Sequence, residues 1–157
     1  MNHMFQSYYL DRPLVRGRVF DIFEPEHITR DTAVFFVHGG GWHAGTRAFC
    51  HEIMEALNER GWTAASADYR LSGVTAFDQL QDIREAYDRL VTLLKERGRP
   101  LKIAVYGESA GAHLASLLLC AAPGECGESF HPANEWVKPC RGILQATPAD
   151  FMPWEGM

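Results

Sequence analysis

The chain has 157 residues, 46% of them hydrophobic, 22% charged and 11% aromatic, and its formal net charge is -5. That length and apolar share suit one domain with a single core and exclude a disordered or low-complexity chain. The acidic balance leaves no basic face for nucleic acid or an anionic lipid surface. The longest apolar run, residues 114–122, is broken by Ser116 and falls well short of the ~20 residues a membrane span needs. The opening MNHMFQSYYLDRP shows neither the cationic start nor the apolar stretch of a signal peptide. Cys50, Cys120, Cys126 and Cys140 form no CxxC pair and no metal-ligand spacing, so they read as free thiols in a reducing compartment. The expectation is one domain over residues 1–157, cytoplasmic, with no metal, no cofactor, no nucleic-acid partner and no membrane span.

Strand and helix signals then alternate. Residues 17–23 (GRVFDIF) predict a strand, and 33–37 (AVFFV) a buried strand that ends at a run of glycines. A helix is predicted over 47–60, with Phe49, Ile53, Ala56 and Leu57 on one face and Gly61 as its stop. Residues 62–67 (WTAASA) predict a small apolar strand. The next helix, 78–97, carries Leu80, Ile83, Tyr87, Leu90 and Leu94 at alternating spacings of three and four, and Gly98 and Pro100 end it. Residues 101–106 (LKIAVY) form a further strand, 109–121 a nearly all-apolar helix, and 141–146 (RGILQA) a last strand after a polar loop. The order β, β-α, β-α, β-α, β predicts an α/β fold: a doubly wound, mostly parallel sheet with helices on both faces. Reactive groups in such sheets gather at the carboxyl ends of the strands.

Two motifs fall at those ends. The first is GESAG, residues 107–111, between the strand LKIAVY and the helix that follows. A nucleophile elbow needs that context, because a strained strand-to-helix turn lifts the hydroxyl of Ser109 clear and small neighbours let strand and helix meet. The helix start adds free N–H groups and positive potential beside it. The second is HGGGW, residues 38–42, directly after AVFFV. Three consecutive glycines cost backbone entropy, and they fit a place where bare amides must point at a developing oxyanion.

In order, spacing and context the two motifs resemble the α/β-hydrolase fold, in particular the carboxylesterases of the hormone-sensitive lipase group and their small capless relatives. The resemblance spans about residues 15–146 and includes the DYRL at 68–71. It implies that the sheet is the N-terminal part of an α/β-hydrolase fold acting on a small-molecule ester. Carried over residue by residue, Ser109 matches the nucleophile, and the amides of Gly40, Gly41 and Ala110 match the oxyanion hole. Gly39 matches the glycine that allows the turn, His38 a loop-holding histidine, and Glu108 a structural acid that ties the elbow to nearby backbone. The tryptophan of HGGGW is also similar to kynurenine formamidases, which usually carry a bulky residue where Gly41 stands. The short stretch before His38 implies a site without N-terminal cap helices.

The pattern breaks after the nucleophile. A serine needs a base, and in this fold the acid and then the histidine follow the serine in the chain. After Ser109 the acids are Glu125, Glu128, Glu135, Asp150 and Glu155, the histidines are His113 and His131, and no histidine follows Asp150. His113 is expected one turn along the nucleophile helix, beneath the elbow and in neighbouring packing, and His131 in a polar loop. His43 and His51 are expected to be solvated or capping, and Asp68 to be scaffold. The expectation is therefore the nucleophile half of an esterase, with its acid and histidine in a missing segment and little turnover on its own. A pocket lined by Trp42, the loop 123–140 and residues 151–154 goes with it, as does self-association through an unpaired sheet edge. Two alternatives stay open: an amide hydrolase of the kynurenine-formamidase kind, and an inactive fragment serving as a binding or assembly module.

Overall fold

The computed structural model describes residues 4–9 and 18–149. Its strands are β1 (Met4–Tyr9), β2 (Val19–Glu24), β3 (Thr32–Val37), β4 (Ala64–Ala67), β5 (Lys102–Glu108) and β6 (Arg141–Gln145), and its α-helices are α1 (His51–Asn58), α2 (Ala76–Glu96) and α3 (Ala110–Cys120). The strands form one sheet in the order β1-β2-β4-β3-β5-β6. β3, β4, β5 and β6 run parallel, while β1 and β2 are antiparallel to their neighbours. This is an α/β fold. The residues 151–154 expected to line a pocket lie outside the described residues.

β3 shows why these segments become strands. Its TAVFFV is β-branched and aromatic, and every residue after Thr32 is buried, as befits a central strand covered on both faces. One face packs Phe35, Val37, Ile103 and Val105 against Leu80, Ile83, Tyr87, Leu90 and Leu94 of α2 and Leu114 and Leu118 of α3. The other packs Val34 and Phe36 against Met54 of α1. α2 starts with a capping box in which the Thr75 hydroxyl accepts from the Asp78 amide while the Asp78 carboxylate accepts from the Thr75 amide.

Three details differ from the sequence expectation. β1 was not expected, because MFQSYY lacks the alternation that marks a half-buried strand; its place is set by backbone pairing with β2. The predicted helix 47–60 divides into a short 3-10 helix, Arg47–Cys50, capped by the Thr46 hydroxyl, and then α1. The inward face of α1 is also rotated. Cys50, Met54 and Asn58 are buried, whereas Phe49 and Ile53 are 70% and 41% exposed. Asn58 holds its buried place because its Nδ2 donates to the carbonyls of Phe23 at 2.9 Å and Trp62 at 3.0 Å.

The loop between α3 and β6 is strapped to α2. Arg84, wholly buried, pairs with Glu128, donates from Nη2 to the carbonyls of Ala121 (3.1 Å) and Ala122 (3.2 Å), and lies 5.2 Å from the centre of the Trp136 ring. One turn on, Asp88 accepts from the amides of Ala133 at 2.8 Å and Asn134 at 3.3 Å. The Tyr87 hydroxyl donates to the Val137 carbonyl at 2.8 Å. Removing one partner of a buried pair strands the other charge. Arg84→Met is therefore expected to cost about 3 kcal/mol in chemical denaturation. Arg84→Met with Glu128→Leu should recover most of that, and a double variant as weak as the single one would contradict this account.

Candidate active site

The turn from β5 into α3 carries Ser109 at φ 54, ψ -119, a conformation that a residue with a side chain adopts only under strain. Its neighbours hold it there. The Ser109 amide donates to the Gln145 carbonyl at the end of β6 at 2.9 Å, and its carbonyl accepts from the amides of Ala112 (2.9 Å) and His113 (3.2 Å). Two residues on, a Cβ added to Gly111 would stand 2.1 Å from the Val37 carbonyl oxygen and 2.4 Å from that of His38. Only glycine lets α3 begin against the end of β3. Ala110, the first residue of α3, has no intrahelical acceptor for its N–H.

The segment after β3 lies beside this turn. Gly40, Gly41 and Trp42 take φ values of 130, 61 and 64 in succession. A Cβ on Gly40 would also stand 2.1 Å from the Ala44 carbonyl oxygen. Every carbonyl of this run has a donor. Gly39 accepts from His38 Nδ1 (2.7 Å), Gly40 from the amides of His43 (3.3 Å) and Ala44 (3.0 Å), Gly41 from His43 Nδ1 (2.7 Å), and Trp42 from Gln79 Nε2 (2.7 Å). In a trans peptide the N–H points opposite to the C=O. The amides of Gly40 and Gly41, like that of Ala110, donate to no acceptor among the described residues.

His38 is 2% exposed and stacks on Tyr69 with centroids 4.3 Å apart, while the Tyr69 hydroxyl donates to the His38 carbonyl at 2.9 Å. Burial lowers its pKa, with the Gly39 carbonyl and Asp68 working against that shift. Glu108 differs from its expected part. No hydrogen bond joins its carboxylate to the elbow among the described residues; Oε2 lies 2.2 Å from where a Gly39 Cβ would stand and so fills that space. Burial first and the charge of Glu108 second push the Cys50 thiol up to about 12.

The histidines after Ser109 take separate places. His113 is not simply packed beneath the elbow: its Nδ1 accepts from Trp42 Nε1 at 3.2 Å, and burial lowers its pKa. His131 is exposed, and two residues later Ala133 is bound to Asp88. That anchor is about 13 Å along α2 from Gln79, which touches the glycine segment. His51 bonds Asp21 at 2.8 Å instead of being solvated, and Asp68 accepts from the Arg47 amide at 2.7 Å. Gln79 and the Trp42–His113 contact were missed. The available signal was a glutamine lying in line with the apolar stripe of α2. Among the described residues no group of His, Cys, Asp and Glu could hold a metal, and no helix is long and apolar enough to cross a membrane.

Comparison with known proteins adds kinship. The BD-FAE family model matches residues 20–155. A probable carboxylic ester hydrolase of Mycobacterium tuberculosis, LipM, is 36% identical over 87 residues, covering 54% of this chain and 20% of its own. Kynurenine formamidase of Drosophila melanogaster is 29% identical over 103 residues, covering 65% of this chain and 34% of its own. The solved structure of Est2, a thermophilic esterase of Thermogutta terrifontis, superposes with a TM-score of 0.71 at 27% identity, over 90% of this chain and 52% of Est2. Another structure shows that organism's esterase 2 phosphorylated by paraoxon. The chain thus spans a fifth to a third of these curated relatives and about half of Est2.

His38, which is buried, and His113, which is half-buried, set a pH dependence. Burial holds His38 and His113 below the ordinary 6.5, so the unfolded chain binds protons that the folded chain refuses. Their contribution is intact above about 6.5 and is lost as the pH falls through that value. Urea midpoints at pH 7.5 and 5.5 should show this fall, and it should be shallower in His113→Gln. Equal slopes in both chains would rule out His113 as a contributor.

Proposed function

We propose that this chain, which belongs to the BD-FAE family and folds as an α/β-hydrolase, supplies the nucleophile and oxyanion hole of a serine carboxylesterase acting on small acyl esters. The Ser109 hydroxyl attacks the ester carbonyl. The carbonyl oxygen gathers charge as the tetrahedral intermediate forms, and the amides of Gly40, Gly41 and Ala110 receive it. His38, Gly39 and Glu108 support them: His38 fixes the Gly39 carbonyl, and Glu108 fills the space above Gly39. One observation carries the reading: a strained serine stands beside backbone amides that have no acceptor among the described residues. The paraoxon adduct of the Thermogutta esterase supports it by analogy.

The acid and the base are not assigned. His113 Nδ1 is engaged by Trp42, and the loop two residues beyond the exposed His131 is tied to Asp88. Residues 1–157 alone are therefore expected to turn over esters slowly, since losing the base of a serine triad costs on the order of 10⁴–10⁶ in kcat. An amide hydrolase is the second reading, favoured by the tryptophan of HGGGW and the likeness to kynurenine formamidase. An inactive binding or assembly module is the third. Self-association belongs to the same proposal: β6 is one of the two sheet edges among the described residues, β1 being the other, and it leaves Ile143 57% and Leu144 37% exposed. A cytoplasmic location is proposed from the four free cysteines.

The test is covalent labelling of the purified chain by a fluorophosphonate, with turnover of p-nitrophenyl acetate and butyrate set against aryl formamides. Labelling at Ser109 with poor turnover is expected. Rapid ester turnover that survives Ser109→Ala would overturn the assignment, and preference for the formamides would install the second reading. Ser109→Gly is the informative control. It removes the label and, by relieving the strained backbone, should raise stability by about 1 kcal/mol.

A further inference from the structure

Resting on that reading of Ser109 and the glycine segment, we infer that Gln79 is the positioning residue that sets the direction of the Gly41 amide. Gln79 Nε2 donates to the Trp42 carbonyl at 2.7 Å. That carbonyl shares its plane with the His43 amide, which therefore points the opposite way and meets the Gly40 carbonyl at 3.3 Å. The Gly40 carbonyl in turn shares its plane with the Gly41 amide, which thereby points opposite to that carbonyl. The described peptides include no cis bond to break this relay.

Gln79 suits the task. It is only 3% exposed, and its second N–H donates to the Arg70 carbonyl at 2.8 Å, so the carboxamide bridges the glycine segment and the DYRL turn. Both ends of the bridge are fixed. Arg70 donates from its amide and its Nε to Asp82, each at 2.9 Å, and the Thr75–Asp78 capping box holds the first turn of α2. Trp42 is held at two points, by Gln79 at its carbonyl and by His113 at its indole nitrogen. The Gly40 carbonyl also accepts from the Ala44 amide at 3.0 Å, so Gln79, by fixing the Trp42 carbonyl, orients a turn from Trp42 to Ala44 that closes on Gly40 through two bonds. Hydrophobic packing does not explain a carboxamide here, since a leucine or methionine would fill the same volume without the two donors.

Gln79→Glu and Gln79→Met test the relay through the turnover that the oxyanion hole supplies. Met removes both donors at every pH. Glu, nearly isosteric, opposes two carbonyls when ionised but regains one donor when protonated. The kcat for p-nitrophenyl butyrate should fall at least about tenfold in both at pH 8, with KM within about twofold. Lowering the pH toward 5.5 should restore part of the loss, relative to wild type, in Glu only. Independently of turnover, the Gly41 cross-peak in ¹⁵N–¹H spectra should move in both variants while that of Gly111 stays. An unmoved Gly41 peak overturns the inference, and so does a loss of kcat that follows the folded fraction equally in Glu and Met at all pH values. Failure of the parent reading registers elsewhere, as turnover that persists in Ser109→Ala.

Discussion

The first turn of α3 touches the last carbonyls of β3, and there is no room between them for a single methyl group. A Cβ on Gly111 would collide with both Val37 and His38. This contact fixes the distance between the turn after β5 and the segment after β3, two parts of the chain separated by some seventy residues. Widening the gap by the width of a methyl would carry Ser109 away from the amides of Gly40 and Gly41. Parallel pairing of β3 with β5, from Thr32↔Lys102 through Val37↔Gly107, brings the two ends level before the glycine closes the last gap.

Around this contact the fold distributes cost and compensation. Ser109 carries backbone strain of order 1–3 kcal/mol, and its amide and carbonyl are both hydrogen-bonded, which keeps the conformation from relaxing. The glycine segment strings together three positive-φ residues, one of them Trp42, and each of its carbonyls from Gly39 to Trp42 finds a donor. Local order of this kind fixes the peptide planes: the carbonyls of Gly39 and Gly40 are held by the protein, and the amides of Gly40 and Gly41 on the far sides of those planes donate to no acceptor among the described residues.

Much of this was legible in the residues. The stripe from Leu80 to Leu94 gave α2, and the glycines at 39–41 and 107–111 fell at strand ends. Other features were illegible for physical reasons. The strand at residues 4–9 depends on a backbone partner that periodicity does not reveal. The face of α1 was misread because Phe49 and Ile53, though apolar, point outward, while the polar Asn58 is buried behind two hydrogen bonds. Gln79 was overlooked because its partners are main-chain carbonyls, and no side-chain pattern advertises those.

The cysteines illustrate a consequence of the same packing. Cys50 is buried, and burial pushes its thiol up to about 12, so at neutral pH it stays protonated and lacks the thiolate that electrophiles and peroxides attack. Cys120 and Cys140 are exposed, at the end of α3 and just before β6, both at the end of the parallel strands remote from Ser109. Chemical damage, or a deliberately attached fluorophore, is thereby steered to the floor of the sheet.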